Sequence, residues 1–271
     1  MTPKSTGHNF RYLIFLMIVV ITMLNYIDRG AIAYAAEAIT HEYGFGRVAW
    51  GAVLGYFGYG YMFGALLGGT FADVWGPKRV FAIAGFAWSF FEAASAFAGD
   101  LGLALFGGSA LAGFAVIRVL FGFAEGPAYS TINKTMSRWA APQERGFSVS
   151  LGLLGTPLGA LLTAPASVGL LLLTNNWRVM FLLLAVISAA ALVVFLCYFT
   201  DRPSDNRRVS QEELVAIQGP QMPRRGKSVE ANAIWAAVLH TKRCPCRRVS
   251  CSAGQSTTPP GVNNANLPDA I

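Results

Sequence analysis

Five ionisable residues stand inside long apolar stretches of this chain: Asp28, Arg29, Glu92, Arg118 and Glu125. A charge at the centre of a bilayer-spanning helix costs about 2.5–3.5 kcal/mol on insertion scales, so such residues mark a function or a buried ion pair. Arg118 and Glu125 are spaced by close to two helical turns and share one face, with Gly122 between them. Pro127 follows and bends or loosens that helix. Asn25 lies one turn before Arg29 on the same stripe, whereas Asp28 points about 100° away from Arg29. Two buried arginines attract an anion, and the planar guanidinium fork suits a carboxylate. Burial and a neighbouring Arg pull a carboxyl's proton affinity in opposite directions, and the balance can bring protonation within reach of cellular pH. A proton on Glu125 or Asp28 would then free its Arg for a substrate carboxylate, coupling anion uptake to proton entry. The plainer alternative is a set of ion pairs that only orient helices. Glu92 has no Arg on its own stretch and lies nearer that stretch's end, so it is expected to be partly solvated.

The elements that carry these residues are apolar and long. The chain is 54% hydrophobic and 13% charged, against about 45–50% and about 25% in soluble domains. So few charges leave too little polar surface to face water, which points to a bilayer. A spanning helix needs about 20 mostly apolar residues. Six stretches qualify: 12–35, the segment between 47 and 73, 80–99, 101–129, the segment between 145 and 178, and 179–200. The first is too long for a signal peptide and leads to no small-residue cleavage site. With the N-terminus in the cytoplasm, Lys4, Arg11, Lys78, Arg79, Lys134, Arg138, Arg145, Arg202, Arg207 and Arg208 all fall inside, and only Arg47 and Arg178 outside. That asymmetry predicts a multi-pass inner (plasma) membrane protein with a cytoplasmic N-terminus. Gly55, Gly58, Gly60, Gly64 and Gly68 in the second stretch, and Gly152, Gly155 and Gly159 in the fifth, predict close helix packing or a helix that rocks against its partner.

Other chemistries lack their residues. The net charge of +7 sits mostly in the tail, where residues 219–271 carry seven Lys/Arg against two Asp/Glu. No groove-entering motif accompanies it, so no nucleic-acid partner is expected. Cys244, Cys246 and Cys251 have a C-x-C-x4-C spacing that does not match paired C-x2-C zinc sites, so no metal and no cofactor is expected. A nucleophile elbow and a phosphate loop are both missing, which argues against an enzyme and against ATP as the energy source.

Several stretches resemble a known family. Gly69-Thr70-Phe71-Ala72-Asp73-Val74-Trp75-Gly76-Pro77-Lys78-Arg79 resembles the loop between helices two and three of the major facilitator superfamily. Asn25-Tyr26-Ile27-Asp28-Arg29, the run Arg118-Val119-Leu120-Phe121-Gly122-Phe123-Ala124-Glu125-Gly126-Pro127-Ala128, and Trp139-Ala140-Ala141-Pro142-Gln143-Glu144-Arg145-Gly146 are similar to motifs of its anion:cation symporter branch, which includes hexuronate, galactonate and glucarate carriers. The resemblance spans about residues 11–218. It implies an all-α membrane fold, with six transmembrane helices forming the N-terminal half of the superfamily fold as two inverted three-helix repeats. It implies Asp28 and Glu125 as proton-coupling carboxylates. Arg29 and Arg118 would bind the substrate anion or gate the carboxylates, and Tyr26 and Asn133 would line the cavity. Gly69, Asp73, Gly76, Lys78 and Arg79 would form a conformational loop in which Asp73 braces a neighbouring helix end.

The organisation expected is then a cytoplasmic N-terminus at 1–11, a membrane domain at 12–200, a central-loop segment at 201–242, and a tail at 243–271. Ser210 and Glu213 suggest a capping box for a short helix in the third of these. The tail is rich in Cys, Arg, Ser, Thr, Pro, Gly and Asn with no apolar periodicity, and reads as disordered. A shift of reading frame near 219–243 would explain why no seventh span follows. The expected activity is proton symport of an organic anion, a sugar acid by resemblance, by a half-transporter in the bilayer. A second half or a second copy of the chain would complete the cavity. An alternative in another class is a non-transporting membrane protein, either a truncated remnant or a six-helix module that only binds a partner.

Overall fold

A computed structural model of the protein describes residues 10–218. The expectations for the tail and for a frame shift fall outside these residues. Nine α-helices are present among the described residues: α1 (Phe10–Tyr43), α2 (Arg47–Val74), α3 (Pro77–Ser95), α4 (Ala98–Leu105), α5 (Ala110–Glu125), α6 (Pro127–Trp139), α7 (Arg145–Thr174), α8 (Trp177–Tyr198) and α9 (Gln211–Gln218). Two short 3-10 turns, Pro142–Glu144 and Pro203–Asp205, join α6 to α7 and α8 to α9. By length and composition four units among the described residues can cross a membrane, α1, α5 with α6, the Pro142–Thr174 rod and α8, and a fifth if the bent pair α3 with α4 is one span. The 28-residue α2 carries no charge between Arg47 and Asp73, but its many Gly and Tyr residues dilute its hydropathy.

The third and fourth stretches divide differently from the sequence expectation. The third helix ends at Ser95, not at 99, and the chain bends by 78° into α4. Residues 101–105 therefore belong to α4, and the next span starts at Ala110. The cause is local. Gly107 and Gly108 adopt φ of 61° and 86°, which L side chains rarely take, and fold α4 back onto α5. A Cβ on Gly113 would collide with Ala98 O, so α4 lies against α5 at backbone distance. Ser109 caps α5 by accepting from Ala112 N at 3.3 Å.

Small residues set the helix crossings. Gly60, Gly64 and Gly68 lie one turn apart on the buried stripe of α2. A Cβ on Gly60 would strike Val119 O; on Gly64, Phe123 O; on Gly68, Pro127. From the other side, a Cβ on Gly122 would strike Phe57 O, and one on Gly126 would strike Ala65 N. A second seam joins α1 and α7, where Gly155 faces Val19 O and Gly159 faces Met23 O. Gly55 and Gly58 differ from the expectation, since both are exposed with open space around them. The pattern four apart continues through 60, 64 and 68 but not through 55 and 58, which turn away from α5.

Helix ends are satisfied from a distance. Gly76 (φ 85°) turns the chain into α3, and Pro77 opens that helix without needing an N–H donor. Asp201, just beyond α8, accepts from Lys78 N at 2.7 Å and so caps α3. Glu213 of α9 accepts from Phe10 N at 3.2 Å and Arg11 N at 2.8 Å, capping α1. This corrects the capping-box expectation. Ser210 Oγ does accept from Glu213 N at 3.2 Å, but the Glu213 carboxylate reaches α1, whose first amides have no partner of their own.

Two apolar clusters form the core. One gathers Ile14, Phe15, Ile18, Ile21, Phe81, Trp88, Phe121, Leu192 and Phe195. The other gathers Ile27, Ile32, Ile39, Trp50, Phe114, Trp177, Phe181 and Leu184. Helices α1, α5 and α8 pass from one cluster to the other, and a buried polar residue stands between the two on each: Asn25 on α1, Arg118 on α5, Ser188 on α8; Ser89 and Glu92 are buried on α3.

The glycine seam predicts that Gly64→Leu lowers stability by about 1–3 kcal/mol or more, since a rigid backbone carbonyl opposes the new side chain. Gly58→Leu should be neutral, as read by heating the detergent-purified chain and following the monodisperse fraction. Equal behaviour of the two variants would refute the seam. Asp201→Ala should cost about 1 kcal/mol and speed hydrogen exchange at the Lys78 amide, whereas Asp201→Asn should largely preserve protection there.

Candidate functional site

The polar layer contains an ion pair between helices far apart in sequence. Arg29 of α1 donates from Nε at 3.2 Å and from a terminal nitrogen at 3.1 Å to one oxygen, Oε2, of Glu125 at the end of α5. Glu125 is fully buried, and its other oxygen has no partner among the described residues. Arg29 is only half-buried, and three rings surround its guanidinium: Phe57 at 4.6 Å, Tyr61 at 4.7 Å and Tyr26 at 5.0 Å. Aromatic faces attract the cation while leaving its in-plane N–H groups free to donate. Beside this box a cleft of about 350 Å³ is lined by Tyr26, Tyr61, Tyr129, Leu153, Thr156 and Pro157. In it the hydroxyls of Tyr129 and Thr156 lie 2.7 Å apart.

Helix geometry explains this placement. Asp28 and Arg29 are adjacent and so point to different sides of α1. Arg29 faces α2, α5 and the cleft. Asp28 faces α3 and α8, where its Oδ2 accepts from Trp88 Nε1 at 2.8 Å and Ser188 Oγ at 2.5 Å. Among the described residues Asp28 therefore makes no ion pair with an Arg, contrary to the expectation that each carboxylate holds its own. The carboxylate that holds Arg29 is on another helix.

Glu92 requires a larger correction. It is 0% exposed rather than partly solvated, and neither carboxylate oxygen has a hydrogen-bond partner among the described residues. Its surroundings are electrostatic: Asp28, Arg118 and Glu125 all act on it. Glu92 is on the buried face of α3, which packs against α5 and α8, instead of at an open end. Arg118 is 3% exposed, with its Nε unpartnered, and it interacts with Glu92 and Glu125. It is set back from the cleft that Arg29 borders.

The remaining residues separate by position. Tyr26 lines the cleft. Asn133 is exposed on α6, and its carbonyl accepts from Ser137 Oγ at 2.8 Å. In the loop, Asp73 forms an ion pair with Lys134 of α6, whose Nζ also donates to Ala72 O at 2.6 Å. Asp73 is thus a strut between α2 and α6, with its side chain 74% exposed. Gly69 has open space beside it, Arg79 is exposed and Lys78 is partly so. Phe57, Tyr61, Tyr129, Thr156, Trp88 and Ser188 were not legible as site residues. The run Tyr56-Phe57-Gly58-Tyr59-Gly60-Tyr61 offers four aromatics in six positions. Only the direction of the Gly60–Gly64 stripe would have picked out Phe57 and Tyr61.

Comparison with known proteins agrees with this architecture. The chain is 32% identical over 183 residues to a hexuronate transporter of Bacillus subtilis, covering 68% of this chain and 41% of that protein. It is 28% identical over 214 residues to a probable galactarate/D-glucarate transporter of Escherichia coli K12, covering 79% and 47% respectively. It is 29% identical over 207 residues to a probable sulfoacetate transporter of Cupriavidus necator, covering 76% and 46%. The chain therefore spans about half the length of the curated relatives it matches. Among solved structures, a bacterial homologue of the lysosomal transporter Spinster superposes with a TM-score of 0.62 at 16% identity, over 85% of this chain and 48% of that one. The E. coli xylose transporter XylE, partially occluded and inward open, gives 0.61 at 20% identity, over 77% and 54%. Those two likenesses concern the fold alone. Residues 18–255 match the Major Facilitator Superfamily. By its sequence match and its helical membrane fold, this chain belongs to the Major Facilitator Superfamily.

Proposed function

We propose that the chain forms the N-terminal half of a proton-coupled symporter for small organic anions, with sugar acids as the substrate class. The observation that carries this reading is the Arg29–Glu125 pair beside an aromatic cleft. In the pair, the guanidinium is occupied by a protein carboxylate. A proton on Glu125 cancels that carboxylate's charge and releases the N–H fork of Arg29. A substrate carboxylate in the cleft then accepts the fork bidentately. Tyr26, Tyr61, Tyr129 and Thr156 supply apolar surface and hydroxyls suited to the carbons and hydroxyls of a sugar acid. Loss of the substrate returns Arg29 to Glu125 and expels the proton. Anion and proton thus bind together or not at all, which is the condition for symport.

Arg118 acts in this scheme through the carboxylates, keeping positive charge near Glu125 and Glu92, while Arg29 touches the anion. Asp28, held by Trp88 and Ser188, is the second proton-coupling carboxylate. Asn133, exposed on α6, would line the cavity that a partner half completes. Six spans carry the site: α1, α2, α3 with α4, α5 with α6, α7 and α8. The cytoplasmic excess of Lys and Arg puts the N-terminus and the loop at 69–79 inside an inner (plasma) membrane. There the Asp73–Lys134 strut steadies one of two alternating states. The similarity to hexuronate and galactarate/D-glucarate transporters supports the substrate class.

D-glucuronate uptake by cells expressing the gene tests this directly. Glu125→Gln should abolish accumulation driven by a pH gradient while leaving substrate exchange, and accumulation at the wild-type level would sink the coupling role. Arg29→Lys keeps the charge but loses the fork, so half-saturation should rise about tenfold, the equivalent of one charge-assisted hydrogen bond. Unchanged affinity would remove Arg29 from the anion site.

A further inference from the structure

The polar layer holds more acid than the scheme above uses. Three carboxyls, Asp28, Glu92 and Glu125, share the interior with two arginines, Arg29 and Arg118, and all but Arg29 are fully or almost fully buried. Arg29 is committed to Glu125. Asp28 is anchored by Trp88 and Ser188. That leaves Glu92 with Arg118 as its opposing charge and no hydrogen bond to either oxygen. With all three acids ionised, the layer would carry a net negative charge between two apolar clusters, and an unpaired buried charge costs several kcal/mol. One bound proton makes the layer neutral.

The position of Glu92 fits such a proton. Trp88 and Glu92 are one turn apart on the same face of α3, so Glu92 lies next to the indole that holds Asp28. Arg118 lies two turns from Glu125 on α5 and interacts with both Glu92 and Glu125. Asp28, Glu92, Arg118 and Glu125 thus form a continuous electrostatic chain across α1, α3 and α5. Its unpartnered buried carboxyl oxygens, Asp28 Oδ1, both Glu92 oxygens and Glu125 Oε1, are the ones free to exchange a proton, while Arg118 stays a fixed cation among them. The charged groups acting on Glu92 from the helices packed around it are Asp28, Arg118 and Glu125. No group of three His, Cys, Asp or Glu side chains is placed to hold a metal ion among the described residues.

We propose that Glu92 is a third proton-carrying carboxyl, which shares Arg118 with Glu125 and relays a proton between Asp28 and Glu125. The proposal rests on the proton-coupled reading of the Arg29–Glu125 pair. When Glu125 takes a proton and drops its hold on Arg29, Arg118 is left with Glu92 as its anionic partner. When Glu125 is ionised, Glu92 holds the proton. No bond to carbon is made or broken; one proton moves between carboxyl oxygens.

The test is pH-dependent infrared difference spectroscopy of the chain reconstituted in phosphatidylcholine vesicles, which reads protonated carboxyls without requiring transport. Glu92→Gln should remove one protonated-carboxyl component that the wild type shows, and Glu92→Asp should restore it at a shifted frequency. If Glu92→Gln fails to reconstitute, Glu92→Asp alone decides. An unshifted wild-type spectrum in Glu92→Asp, or an intact component in Glu92→Gln, overturns the proposal. A component displaced by sodium ions at fixed pH also overturns it, because the site would then hold a cation. Loss of the Glu92 component in a chain that moves no anion would keep Glu92 as a proton-carrying carboxyl and sink the transport reading instead.

Discussion

Charge in an apolar interior is the constraint around which the rest of this protein is arranged. Bringing Arg29, Arg118, Asp28, Glu92 and Glu125 into one layer carries a desolvation cost that only mutual pairing offsets. The layer is accordingly confined to the level where the two apolar clusters meet. Asn25, Ser89 and Ser188 sit at the same level on three helices. Breaking a pair such as Arg29–Glu125 by removing one partner strands the other, at about 3–5 kcal/mol in soluble interiors. Neutralising the carboxyl with a proton avoids that penalty. A buried ion pair is therefore a poor permanent brace and a good switch, because a single proton changes which arrangement is cheaper.

A switch of this kind needs helices that hold their positions closely. Lipid supplies no hydrophobic drive between helices, so contact must come from packing. The Gly60, Gly64 and Gly68 stripe against Gly122 and Gly126 brings α2 and α5 to backbone distance. That approach delivers Phe57 and Tyr61 to the guanidinium of Arg29. The Gly155 and Gly159 seam does the same for α1 and α7, setting Tyr26 beside Thr156 and Pro157 in the cleft wall. At the helix ends, Asp201 and Glu213 cap α3 and α1 from distant parts of the chain, and Asp73 with Lys134 ties α2 to α6. Packing near the middle and polar ties at the ends divide the work according to where water can solvate the partners.

The sequence alone determined the class of this protein and the identity of most of its charged layer. Low charge, long uncharged runs and a one-sided distribution of Lys and Arg follow from the bilayer as solvent, and they can be read without any contact. Charges inside such runs are conspicuous because they are expensive, so Asp28, Arg29, Arg118 and Glu125 were visible at once. Glu92 was visible too, but its surroundings were not. Its burial comes from the packing of α3 against α5 and α8, which spacing along one helix does not reveal. Only the tertiary structure decided who pairs with whom. Adjacent residues on a helix diverge by about 100°, so Arg29 and Asp28 part company, and the partner of Arg29 comes from a helix whose approach is set by glycines rather than by charge. The same holds for Phe57, Tyr61 and Tyr129. One-dimensional spacing fixes a side chain's face on its own helix, but which neighbour fills that face depends on the packing of whole helices against one another.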